Sequence, residues 1–205
     1  MVRVSDAEDA MHGLINRAIE RFVRDTYGRD SWRRIIGRAG VEQSEFEAML
    51  TYEEAVTFDL LAAAQEVLER PTAEILEDIG TYLVSHPNVE ALRRLLRFGG
   101  ATFGDFLHSL DDLQARARLA VSDLELPQLE LREHANDSFT LTCRFRRAGF
   151  GHVAVGLLRA MADDYGALVL LDHKGARGGV ELIGIRLLSM AHASGREFDL
   201  GARAG

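Results

Sequence analysis

Residues 126–145, LPQLELREHANDSFTLTCRF, decide the fold. Leu129 and Leu131, then Phe139, Leu141, Cys143 and Phe145, alternate with polar residues at a period of two, the spacing that puts strand side chains on one face. Between the two runs, Asn136-Asp137 is turn chemistry, and Pro127 stops whatever precedes it. The stretch therefore reads as an antiparallel hairpin.

Upstream of Pro127 the period is helical. Met11, Leu14, Ile15, Ala18, Ile19 and Phe22 recur at steps of three and four, predicting a helix that runs to about Tyr27 and stops at Gly28. Ser31 caps a second helix carrying Trp32, Ile35 and Ile36, and further helices are predicted over residues 53–69, 72–83 and 89–98. A longer one over 102–121 carries Phe103, Phe106, Leu107, Leu110, Leu113 and Ala117 as its apolar stripe. Downstream, a helix over 151–165 precedes a second hairpin, 168–171 and 180–188, around the glycine-rich turn 174–179. That turn joins two strands, with no helix N-terminus to receive an anion, so it is not a phosphate loop. The sum is an α+β fold, an N-terminal helical layer followed by a four-stranded antiparallel sheet with an inserted helix. Residues 1–10 form a polar, acidic lead-in, 11–190 one domain and 191–205 a tail.

Composition narrows the function. In 205 residues, 24 Lys and Arg stand against 32 Asp and Glu, a net charge of -8 that repels phosphate backbones, which argues against nucleic acid. The densest basic run, Arg144, Arg146 and Arg147, reads as a solvated strand edge. No apolar stretch approaches the roughly 20 residues that span a bilayer, and MVRVSDAEDAM has no apolar leader region. The lone Cys143 excludes an internal disulfide and a cysteine zinc site, as in a reducing cytoplasm. The seven histidines show no i,i+4 pair, and the neighbours Asp111–Asp112 and Asp163–Asp164 read as solvated helix faces. Nothing points to an enzyme.

Several segments in order, however, resemble one family. MHGLINRAI from Met11, Tyr27-Gly28, Trp32, Phe106-Leu107 with Ser109-Leu110-Asp111-Asp112-Leu113 before Gln114, Pro127, and GFGHVAVGLL from Gly149 together resemble the haem-nitric-oxide/oxygen binding (H-NOX) family, whose members include bacterial stand-alone proteins and the haem domain of soluble guanylate cyclase. The resemblance covers nearly all of the chain after Ala10. It implies haem b held by a proximal histidine and by the Tyr, Ser and Arg of a Y-x-S-x-R motif. At those positions this chain carries Gln114, Cys143, Phe145 and Arg147, so only the arginine matches. A glutamine carbonyl is a poor ligand to ferrous haem where imidazole is a good one. Phe145 cannot donate to a propionate, whereas Arg147 can bind a carboxylate bidentately.

The resemblance further places Ile15, Val153 and Leu157 in an apolar distal pocket that favours NO or CO over O₂, and Pro127 against the porphyrin. Three histidines are candidate substitute ligands: His12 on the first helix, His152 beside Val153, and His108, about 240° from Gln114 around a continuous helix. The implied role is a cytoplasmic sensor or regulatory domain with a degenerate haem site, signalling to a separate histidine kinase or cyclic-nucleotide enzyme. Two alternatives are a working haem-based NO sensor with a substitute axial ligand, and a pocket for another apolar small molecule.

Overall fold

Positive φ at Asn136 (61°) and Asp137 (53°) closes the hairpin tightly. In the computed structural model, which describes residues 10–122 and 124–196, it joins β3 (Gln128–His134) to β4 (Ser138–Arg144), with Leu131 opposite Leu141 and Leu129 opposite Cys143. A second pair, β5 (Leu168–Arg177) and β6 (Val180–Ser189), completes an antiparallel sheet of order β3-β4-β6-β5. The turn between β5 and β6 is shorter than the sequence suggests. Residues 174–177 continue β5 across an irregularity after His173, leaving Gly178 and Gly179, both at positive φ, to make the turn.

The described residues fall into two compact units, divided between Ile75 and Leu76. In the first, β1 (Ala10–His12) pairs antiparallel with β2 (Thr51–Glu53), a ribbon too short to show a sequence period. Helix α1 (Gly13–Ala39) begins two residues later than Met11 because His12, still extended, caps it: Leu14 N–H donates to His12 Nδ1 at 3.2 Å. Its backbone departs from helical geometry at Gly28 (φ 87°), so the predicted stop is a kink between two helical stretches. Helix α2 (Glu54–Leu68) follows, and the core of this unit gathers Phe22, Val23, Trp32, Ile35, Phe46, Leu60 and Ala64. Two buried hydrogen bonds tie its parts together: Thr57 donates to Asn16 at 2.6 Å, and Glu20 accepts the Phe46 N–H at 2.9 Å.

Helix α3 (Thr72–Ser85) straddles the division. The second unit continues with α4 (Glu90–Arg97) and then departs from expectation. The single predicted helix over 102–121 is three pieces: α5 (Phe103–His108), a 3-10 turn (Ser109–Asp112) and α6 (Leu113–Ala120). Asp111 accepts the Leu131 N–H at 2.7 Å, and Arg116 reaches back to the Ser109 carbonyl at 2.9 Å, so contacts beyond the helix fix the break. The 240° relation between His108 and Gln114 requires a continuous helix and does not hold. Helix α7 (Phe150–Tyr165) packs on the sheet, with Ala154, Val155, Leu158 and Met161 joining Leu141, Cys143, Ile183 and Ile185 in one apolar core. The predicted tail is pinned at its start, since His192 and Ala193 both donate to the Gly166 carbonyl. The predicted lead-in lies outside the described residues apart from Ala10, which pairs in β1.

Candidate functional site

Gln114 is the second residue of α6, half-buried, and its Nε2 donates to the Leu126 carbonyl at 2.9 Å. The adjoining Pro127 is buried. One residue before Leu126, Glu125 turns its carboxylate onto two arginines, Arg147 at 3.0 Å and Arg146 at 3.3 Å. Both hold the Glu125 carboxyl below its ordinary range, Arg147 foremost, against the opposing effect of burial. Arg147 is not the surface residue its sequence context suggests: it is buried, with its guanidinium 5.4 Å from the Phe145 ring centre. Phe145 in turn meets Phe150 edge-on at 6.1 Å. Thus Gln114 and Arg147, far apart in sequence, grip consecutive residues of one loop between α6 and β3.

Cys143 faces the core at the end of β4, opposite Glu181. Burial, joined by the Glu181 charge, pushes its thiol up to about 12, so it stays protonated at neutral pH. Glu181 is itself buried and accepts from the Gly149 N–H at 3.0 Å and pairs with His173 Nε2 at 2.9 Å. The His173 ring stacks on His152, centroids 4.0 Å apart, and His152 Nδ1 lies 3.4 Å from Glu77, which also accepts from Arg159 at 2.8 Å. This chain of charged and aromatic groups ties α3, α7 and the sheet together. Parallel stacked rings aim their in-plane lone pairs side by side rather than at one point, and no cluster of three or more His, Cys, Asp or Glu able to hold a metal occurs among the described residues.

Helices α3 and α7 cross in backbone contact. A Cβ on Gly80 would lie 2.0 Å from the Val153 carbonyl oxygen, and one on Gly156 1.8 Å from that of Glu77. Val153 and Leu157, both half-buried, flank this crossing. Ile15 and His12 belong to the other unit, Ile15 half-buried near the start of α1 and His12 buried at its N-cap. His108 is exposed, 3.4 Å from Glu133 and edge-on to Phe139.

Burial works against the Glu77 carboxylate, but Arg159 and His152 outweigh it and hold it below 4.5. Because the folded value lies under the unfolded one, the stabilisation is present above about pH 4.5 and is lost as pH falls through the folded value. Glu77→Gln should therefore lose about 0.5–1 kcal/mol at neutral pH and less at pH 3. Urea unfolding at both values checks it; an equal loss at each pH would rule out the charge as the cause.

These elements make an α+β fold, helices followed by a four-stranded antiparallel sheet, and comparison with known proteins identifies its family. The chain matches the haem-NO-binding (HNOB) family over residues 12–173 and belongs to that family of sensor domains, whose members bind haem. It is 27% identical over 154 residues to soluble guanylate cyclase gcy-31 of Caenorhabditis elegans, covering 75% of this chain and 22% of that protein. It is 20% identical over 155 residues to soluble guanylate cyclase 89Db of Drosophila melanogaster, covering 76% and 23%. The chain thus spans less than a quarter of the length of these curated relatives. In structure it is similar to the H-NOX protein from S. oneidensis in the Fe(II)NO ligation state (TM-score 0.73, 17% identity, 87% of this chain and 100% of that one). The unliganded Fe(II) H-NOX protein from K. algicida is also similar (0.72, 20%, 86% and 96%). No helix among the described residues is long and apolar enough to cross a membrane.

The side chains at these positions are engaged within the chain. The Gln114 amide is tied to Leu126, the Cys143 thiol is protonated and buried, Arg147 already holds a carboxylate, and His108 and His152 each face a glutamate. Sequence reasoning missed Glu125, Glu181, His173, Glu77 and Arg159, which carry no local pattern that separates them from surface residues. Gly80 and Gly156 did carry one, glycine inside a helical period.

Proposed function

We propose that this H-NOX domain is a cytoplasmic regulatory module with a degenerate haem site, which acts by docking to a separate signalling protein, a cyclic-nucleotide enzyme or a histidine kinase. One observation supports it above the rest. The residues that the resemblance assigns to the axial and propionate contacts, Gln114 and Arg147, hold Leu126 and Glu125 of the chain's own loop. Positions serving a ligand elsewhere in the family here serve internal structure. Cys143 and Phe145, at the remaining motif positions, lie in or beside the apolar core and supply no exposed donor to a carboxylate.

The test is the visible absorption spectrum of the purified protein as haem is added. The reading expects only the broad spectrum of free haem, and Gln114→His should gain a sharp Soret band. A sharp, saturable band in the wild type would overturn the reading in favour of an NO or CO sensor with a substitute ligand. That alternative draws on His152, which is partly exposed beside Val153. Replacing His12, His108, His152 and Cys143 singly would then locate the ligand. A band absent from both proteins would leave a site altered beyond the axial residue, as a pocket for another apolar molecule would be.

A further inference from the structure

Ile183, Ile185 and Leu187 of β6 turn into the core with α7, so Leu182, Gly184, Arg186 and Leu188 between them point to the opposite face of the sheet. On β5, Leu170 shares that outer face and lies directly opposite Arg186. A solvated sheet face is ordinarily polar, yet Leu170 is 54% exposed, Leu188 49% and Leu182 39%. Lys174 lays its stem over Gly184, where a Cβ would lie 3.1 Å from Lys174 Cε, so methylene groups fill the interval between Leu182 and Arg186. The charges of this face do not balance. Glu130 answers Arg144 at 3.1 Å and Asp172 answers Lys174, which leaves Arg132 and Arg186, both exposed, with no ion-pair partner among the described residues. A chain of net charge -8 thus carries a face that is apolar and positive.

From this combination we infer that the outer face of β5 and β6 is the docking surface for an acidic amphipathic helix of a partner protein, its apolar side on Leu170, Leu182 and Leu188 and a carboxylate on Arg186. The inference rests on the proposed reading for the existence of a partner and deepens it by naming the surface and the chemistry that it selects. Leu182 and Leu188 stand six residues apart on one strand, roughly 20 Å, with Arg186 between them. About thirteen residues of helix cover that length. A helix seats on a twisted sheet, as α7 does on the inner face, whereas a flat bilayer meets such a sheet over only part of its area. A second copy packed face to face would bring the unanswered arginines of both chains together. An acidic helix supplies the opposite sign to Arg132 and Arg186 and covers the leucines in one step.

The probe is a fluorescein-labelled synthetic helix of about 18 residues, leucine on one face and glutamate on the other, read by anisotropy against the full chain. Its counterpart carries lysine for glutamate. The glutamate peptide should bind saturably and more weakly as salt rises, and the lysine peptide should not bind. Arg186→Glu and Leu170→Ser should each weaken the glutamate peptide about tenfold, and Arg186→Glu should admit the lysine peptide. Leu119→Ser, which removes a 90% exposed leucine from α6, should change nothing. No saturable binding, or binding that Arg186→Glu and Leu170→Ser leave intact, overturns the inference. So does sedimentation of the chain with phosphatidylserine vesicles that those two variants abolish, which makes the face a membrane surface. A dimer in analytical ultracentrifugation that the same variants dissolve overturns it too, in favour of a contact between copies. None of these measurements involves haem, so they fail independently of the haem titration. A sharp Soret band in the wild type would sink the degenerate-site reading and leave this surface standing; a failed peptide titration would remove the surface and leave that reading to its own test.

Discussion

Asp164→Ala should cost about 3–5 kcal/mol of folding stability, measured by urea unfolding at neutral pH. Asp164 is 1% exposed near the end of α7. Arg93, itself buried, donates to its Oδ1 at 2.7 Å, and Arg97 lies 3.5 Å from Oδ2 with its guanidinium over the Tyr165 ring at 3.9 Å. The same residue's carbonyl accepts from the Arg196 N–H at 3.0 Å, which holds the chain just after the sheet. The loss is large because the mutation takes the carboxylate from Arg93 in a dry environment, not because the pair itself stabilises strongly. Asp164→Ala combined with Arg93→Met should therefore recover much of the loss, since the buried guanidinium goes with its carboxylate. A single-variant loss under about 1 kcal/mol would mean that water reaches Arg93 when the aspartate is gone.

Gly156→Ala should cost about 2–3 kcal/mol, by the same measurement. An added methyl would sit 1.8 Å from the Glu77 carbonyl oxygen and 2.9 Å from the Thr81 N, so α3 and α7 must separate to admit it. Rigid helical backbone, unlike the end of a flexible side chain, cannot yield locally. Alanine is otherwise favoured over glycine within a helix by roughly 0.5–1 kcal/mol, so the clash is larger than the net loss. Gly37→Ala in α1 isolates that propensity. Nothing lies within 4 Å of the position a Cβ would take there, and the variant should gain up to about 1 kcal/mol. Separation of α3 from α7 would also pull Glu77 from His152 and Arg159, so Gly156→Ala should blunt the acid-range dependence expected of Glu77. An unchanged Gly156→Ala midpoint would show that the two helices do not meet in solution as closely as here.

The elements that local chemistry controls were legible. The hairpin over 126–145 follows from a period of two and a turn of Asn and Asp, both short-range properties, and it forms with Leu129 opposite Cys143 as the alternation requires. Helix α1 bends at Gly28, where glycine reaches a positive φ, and α2 ends with Glu69 as its C-cap, two residues before Pro71, which has no N–H to continue a helix. The break between α5 and α6 was not legible, because the residues that make it, Asp111 and Arg116, act through Leu131 on a distant strand and through Ser109. Nor was the burial of Asp164, although it continues the spacing of the buried Ala160 and Met161; a charged residue reads as surface until the arginines that answer it are in place.

The sequence by itself determined the fold class, the order of helices and strands, and the residue types at the positions the family resemblance marks, Gln114, Cys143, Phe145 and Arg147. Only the tertiary structure decided what those side chains do. It buried Arg147 and supplied Glu125 from 22 residues away, turned Gln114 onto Leu126, and kept the Cys143 thiol protonated inside an apolar core. Periodicity records which face of an element is apolar, because that is a property of neighbouring residues. The partner of a buried charge is chosen by the packing of whole elements, and no local pattern contains it.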